Sequence, residues 1–116
     1  MTHNFSLFSE PFEKIKSGVK DIEVRLYDEK RRKISVGNTI IFHKLPDKKE
    51  TILVKVTGLF IFSNFEDLFL NFSNDRFGHY QLNLNEQIKA IRTIYNKEKE
   101  KQHGVLGIHV RLIKEV

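Results

Sequence analysis

The chain has no cysteine, which removes a disulfide frame, a thiolate metal site and a cysteine nucleophile together. No apolar run approaches the roughly 18 residues that a membrane helix needs. The opening MTHNFSLFSEPFEKI lacks the basic start and apolar stretch of a secretory leader. The five histidines, at positions 3, 43, 79, 103 and 109, nowhere stand three or four apart in a ligand pattern, so neither a metal nor a cofactor is expected. Nucleophile-elbow and phosphate-loop spacings are missing too, as are internal repeats, linkers and low-complexity segments. The expectation is a soluble, cytoplasmic module without membrane contact.

What is present argues for one packed domain over residues 1–116. Hydrophobic residues make up 40% of the chain and 10 are phenylalanine, which a disordered chain of similar charge would not carry. Lys and Arg total 20 against 15 Asp and Glu, a net charge of +5. A positive field of that kind attracts phosphates and makes nucleic acid a candidate partner class.

Periodicity divides the chain into alternating strands and short helices. Asn4 to Phe8 reads as a first strand, followed by a helix that Ser9 caps, with Glu10 and Pro11 in its first turn and Gly18 at its end. From Asp21 to Tyr27 the period is two: Ile22, Val24 and Leu26 take one face, Glu23 and Arg25 the other. Lys20 joins the second set only from the turn before the strand. Asp28 to Lys33 reads as a capped turn, Gly37-Asn38 as a turn, and Thr39 to His43 as a strand. Thr51 to Phe62 is a long strand bent at Gly58. Asn64 caps a helix over Phe65 to Phe72. Ser73 to Leu82 is irregular and aromatic; the rings from Phe77 to Tyr80 could stack bases, although an aromatic-rich loop is more often simply packed over a core. Asn83 and Glu86 form a capping box ahead of a stripe of Leu84, Ile88, Ile91 and Tyr95. Asn96 to His103 reads as a solvated charged helix, and Val105 to Ile113 as the last strand. Strands with scattered helices and no βαβ alternation predict an α+β fold, a small β-barrel of mainly antiparallel strands with short helices around it.

Lys20, Glu23 and Arg25 are the chemistry-bearing group. A lysine can donate to a phosphate or carbonyl, an arginine grips planar groups with a fixed fork, and a carboxylate between them accepts from a base or sugar. An ordinary solvent face with a weak Glu–Arg pair is the competing reading of the same residues. The run Lys30-Arg31-Arg32-Lys33 is the densest positive patch; it could lie along a phosphate backbone, and a solvated turn beside Asp28 and Glu29 is the commoner reading of such a run.

The segment Gly18-Val19-Lys20-Asp21-Ile22-Glu23-Val24-Arg25 resembles the G-x-K-x-x-E-x-R signature of the activating signal cointegrator homology (ASCH) domain. The likeness continues through RLYDEKRRKISVGNTIIF and returns in IYNKEKEKQHGVLGIHVRLI. The resemblance implies a barrel similar to the PUA domain and a cleft lined by the signature residues. It also implies RNA, a nucleotide or a nucleoside as partner. The ligand-binding set is then Lys20, Glu23 and Arg25 with Arg31, Arg32 and Tyr95. A bacterial branch of this fold hydrolyses N4-acetylcytidine with a lysine from the same signature, a threonine where Glu23 stands here, and a glutamate from the later helix. On that alternative the catalytic residues are Lys20, Glu23 and Glu86, although Glu23 supplies no hydroxyl nucleophile. A protein-interaction domain whose cleft takes no nucleotide is the third reading.

Overall fold

The computed structural model describes residues 1–116. Its strands are β1 (Thr2–Leu7), β2 (Ile22–Leu26), β3 (Thr39–Lys44), β4 (Thr51–Phe62) and β5 (Val105–Glu115). The helices are α1 (Ser9–Lys16), α2 (Phe65–Leu70), α3 (Leu84–Arg92) and α4 (Lys97–His103), with single 3-10 turns at Arg31–Lys33 and Asn74–Phe77. The five strands form one mixed sheet in the order β1-β3-β4-β5-β2, in which β1 runs parallel to β3 and the other pairings are antiparallel. The sheet curls into a half-barrel whose two edge strands are β1 and β2. The α+β class and the mainly antiparallel barrel-like sheet expected from the sequence are therefore observed.

The core has two parts, and β2 lies between them. Inside the curl, Phe5, Ile40, Phe42, Ile52, Val54, Val56, Leu106 and Ile108 pack with Phe12 and Ile15 of α1. On the other side of β2, Ile22, Val24 and Leu26 pack on Phe65, Leu68 and Phe69 of α2 and on Phe77. Alternation along β2 thus sends its aliphatic set to the helices and leaves Glu23 and Arg25 facing β1.

Local signals explain several boundaries. Gly18 has φ of +83° just beyond α1, the left-handed geometry that glycine reaches without a Cβ clash. The register of β4 against β5 slips between Val56 and Gly58, so the long strand bends where a glycine predicts it. Asn64, Asn83 and Asn96 each accept from a backbone N–H in the first turn of their helices, satisfying donors that have no partner within the helix.

Some sequence expectations are corrected. Phe8, not Ser9, occupies the N-cap of α1, and no side chain caps it; Ser9 is already helical. The first strand begins at Thr2 and ends at Leu7, and α2 stops at Leu70. The charged helix α4 is not solvated all round. Glu100 is buried, accepting from the Phe65 backbone N–H at 2.7 Å and from Arg92 at 2.6 Å.

Candidate functional site

A cleft of about 720 Å³ opens between the β1–α1 corner on one side and the 77–82 loop with α3 on the other. Lys20, Glu23 and Arg25 line it, as do Lys14, His79, Gln87 and Tyr95. The floor is tightly built. Glu23 Oε1 lies 3.0 Å from Lys20 Nζ, and its Oε2 accepts from Arg25 Nε at 2.8 Å. Arg25 also donates through Nη2 to the Ser6 carbonyl of β1 at 2.9 Å. Lys20 precedes β2, in the turn where strand alternation does not yet apply, and this lets it reach the Glu23 face.

Burial separates this floor from a solvent face, because Glu23 is only 5% exposed and Lys20 8%. Burial pushes the Glu23 carboxyl up, but the Lys20 ammonium and the Arg25 guanidinium outweigh it and hold the group at about 2 instead of 4.5. Glu23 is consequently a carboxylate at neutral pH. Burial likewise works against the Arg25 charge, and Glu23 more than restores it. The floor carries two cations and one anion, so it presents net positive charge to whatever enters. Lys20 Nζ makes no bond beyond Glu23, and Arg25 Nη1 makes none within the protein. Neither atom is sealed from solvent without a partner, so both offer free donors to the cleft.

The walls add aromatic and neutral groups. Gly78 has φ of +78°, and a Cβ there would stand 2.9 Å from Lys14 Cδ. The missing side chain lets the loop close on Lys14, whose Nζ donates to the Gly78 carbonyl at 2.8 Å. His79 follows, stacked on Phe77. Burial first, then the Lys20 and Lys14 cations, bring its imidazole down to about 4 from 6.5, so His79 is neutral at physiological pH. Tyr95 is raised by burial, with Arg25 pulling the other way. Phe8 and Tyr80 stand on the rim 62% and 60% exposed. Exposed rings at the mouth of a positive cleft are stacking surfaces without a partner in the protein.

The expected ligand-binding set is only partly assembled here. Lys20, Glu23, Arg25 and Tyr95 line the cleft. Arg31 does not, but its guanidinium lies 5.2 Å from the Phe5 ring, beside Arg25 at 5.5 Å and Lys30 at 4.8 Å. Three cations over one ring form a positive shoulder next to the floor. Arg32 points elsewhere, over Tyr27 at 4.2 Å and onto the His103 carbonyl at 3.3 Å. Glu86 is outside the cleft: it is exposed, and Oε1 accepts from the Asn83 backbone N–H at 3.0 Å as the returning half of the capping box.

Lys14 and Gln87 were not expected as site residues, and His79 stood only among aromatics that could stack bases. Gln87 had a usable signal, since it lies three residues after Leu84 and four before Ile91, on the apolar stripe of α3. A polar residue on such a stripe is buried only where something meets it.

Comparison with known proteins follows the same lines. The ASCH domain family model matches residues 5–114. The crystal structure of a hypothetical protein, PH0355, is 36% identical with a TM-score of 0.87, covering 97% of this chain and 100% of that one. The solution structure of protein PF0455 from Pyrococcus furiosus is 32% identical with a TM-score of 0.78, covering 98% and 99%. The crystal structure of ASCH from Zymomonas mobilis shares the fold at 14% identity and a TM-score of 0.62, covering 97% of this chain and 71% of that one. No curated protein matches.

Proposed function

The chain belongs to the ASCH domain family, and from that premise we propose that the cleft over Lys20, Glu23 and Arg25 binds a nucleotide, either free or as one unit of a single-stranded RNA. One observation carries the reading. Buried Lys20 and half-buried Arg25 are tied to a single carboxylate and still keep donors turned into a cleft rimmed by Phe8 and Tyr80. Fixed cationic donors suit carbonyl and phosphate oxygens, and they need no rearrangement when the ligand arrives. The rim rings suit the faces of a base, which every base possesses. Lys30 and Arg31 on the Phe5 shoulder extend the positive surface past the cleft, where a neighbouring phosphate of an RNA would run.

Glu23 works through Lys20 and Arg25, holding both side chains in place. Its two oxygens are each engaged, and its low pKa makes it a poor proton donor or base at neutral pH. Hydrolysis of an acylated nucleoside would have to proceed from Lys20 alone, since position 23 carries no hydroxyl and Glu86 is committed to the helix cap. Binding is the reading the geometry favours.

Anisotropy titration of a short single-stranded RNA at low salt tests the proposal. Affinity should fall steeply with salt, and Lys20→Met should weaken binding to every sequence by a similar factor. A parallel titration with nucleoside monophosphates separates free nucleotide from RNA as the ligand. No binding of either would overturn the reading, and acetate release from N4-acetylcytidine that vanishes in Lys20→Met would replace it with the hydrolytic one.

A further inference from the structure

Gln87 is 2% exposed and lines the cleft. Its Nε2 faces His79 Nδ1 at 3.3 Å. An amide nitrogen only donates, so the ring nitrogen accepts, and the proton of neutral His79 sits on Nε2. The imidazole cannot easily turn, because it is wedged against Phe69 and Phe77 with ring centroids 6.0 Å away in both cases. The amide is thereby latched in one orientation. Its Oε1 has no partner within the protein, yet it is not a sealed atom. A nearly buried acceptor left open toward a cleft is an unfilled hydrogen-bond position.

Resting on the nucleotide reading above, we propose that Gln87 reads the base: its Oε1 accepts from an amino or ring N–H on the edge of the bound heterocycle, while Lys20 and Arg25 donate to acceptors of the same ligand. The contrast between wall and floor carries this. Lys20 and Arg25 offer only donors, and both Glu23 oxygens are already engaged by them. A ligand made of acceptors alone, such as sulfate, satisfies the floor and leaves Oε1 unpaired. A heterocycle with an N–H beside a carbonyl or ring nitrogen satisfies both at once. A site built to bond an N–H discriminates against an analogue that lacks it, because the buried acceptor is then stranded.

The test measures binding of uridine, cytidine and adenosine 5′-monophosphates beside counterparts whose edge N–H groups are methylated: 3-methyluridine, N4,N4-dimethylcytidine and N6,N6-dimethyladenosine 5′-monophosphates. Wild type should prefer at least one parent over its blocked counterpart by about tenfold. Gln87→Met, similar in size but without the acceptor, should bring that ratio to about one. A ratio that persists in Gln87→Met would overturn the proposal, since steric exclusion of the methyl group would survive the substitution. Equal binding of parent and blocked forms by wild type would overturn it as well, with nucleotide binding intact. No nucleotide binding at all would remove the underlying reading and this proposal with it. Should Gln87→Met not fold, His79→Phe carries the test: it keeps the ring packing, loses the Nδ1 latch, and should lower the ratio, whereas an unchanged ratio overturns the proposal.

Discussion

Arg25 on β2 donates Nη2 to the Ser6 carbonyl of β1 at 2.9 Å while its Nε holds Glu23 at 2.8 Å. The two strands are the opposite edges of the sheet and share no ladder. One side chain therefore spans the mouth of the half-barrel and orders the binding floor in the same act. Stability and ligand binding are coupled at this residue.

The first prediction concerns that coupling. Arg25→Ala leaves Glu23 buried with Lys20 as its sole partner and the Ser6 carbonyl without its donor. Breaking one partner from a buried ion pair costs on the order of 3 kcal/mol. Urea unfolding should show a loss of that size. Arg25→Lys should recover part of it, because one ammonium reaches one of the two acceptors but lacks the fork to hold both.

Glu23 makes the second prediction, in acid. Its folded value of about 2 lies below 4.5, so the unfolded chain takes up the proton first. Its contribution is complete above about 4.5 and is lost as pH falls toward 2. The stability gap between wild type and Glu23→Gln, measured by denaturant unfolding, should be widest above pH 5 and narrow steadily below it. A gap independent of pH would mean that Glu23 is not the anion that the floor requires.

A third prediction separates His79 from the carboxylates. Its folded value is about 4 against 6.5, so the unfolded state protonates first between those limits. Stability from the neutral ring is full above 6.5 and declines as pH falls to about 4. An NMR titration of the His79 ring should show a midpoint near 4, with the neutral Nε2–H tautomer at pH 7.

Glu86→Ala supplies a fourth. Removing the returning half of the capping box frees the Asn83 N–H and should cost about 0.5–1 kcal/mol. Nucleotide affinity should stay within twofold of wild type by calorimetry. A loss of binding or of any hydrolytic activity would bring Glu86 back to the site.

Much of this was visible in the order of residues. Ile22, Val24 and Leu26 declare a strand face because their neighbours are charged, and Gly18, Asn64 and the Asn83–Glu86 pair declare helix ends through chemistry confined to a few residues. The same locality sets the limit. A cleft floor and a solvent face read alike at Glu23 and Arg25, and nothing near position 23 announces the burial that separates them. Glu86 and Gln87 differ by one step, about 100° around a helix. The capping box fixes that phase, turning the carboxylate out to the N-terminus and the amide into the cleft. Glu100 lies in a run of alternating charges, and its burial depends on Arg92 and the Phe65 N–H, which no spacing within the run reveals.

The most direct test of the central claim is an NMR chemical-shift map of the protein titrated with a nucleoside 5′-monophosphate. Shifts should concentrate on Lys14, Lys20, Arg25, His79, Gln87 and Tyr95, and be absent in Lys20→Met at the same ligand concentration. Shifts confined to Lys30–Lys33 and the exposed face of α4, with the cleft residues unmoved, would contradict the account.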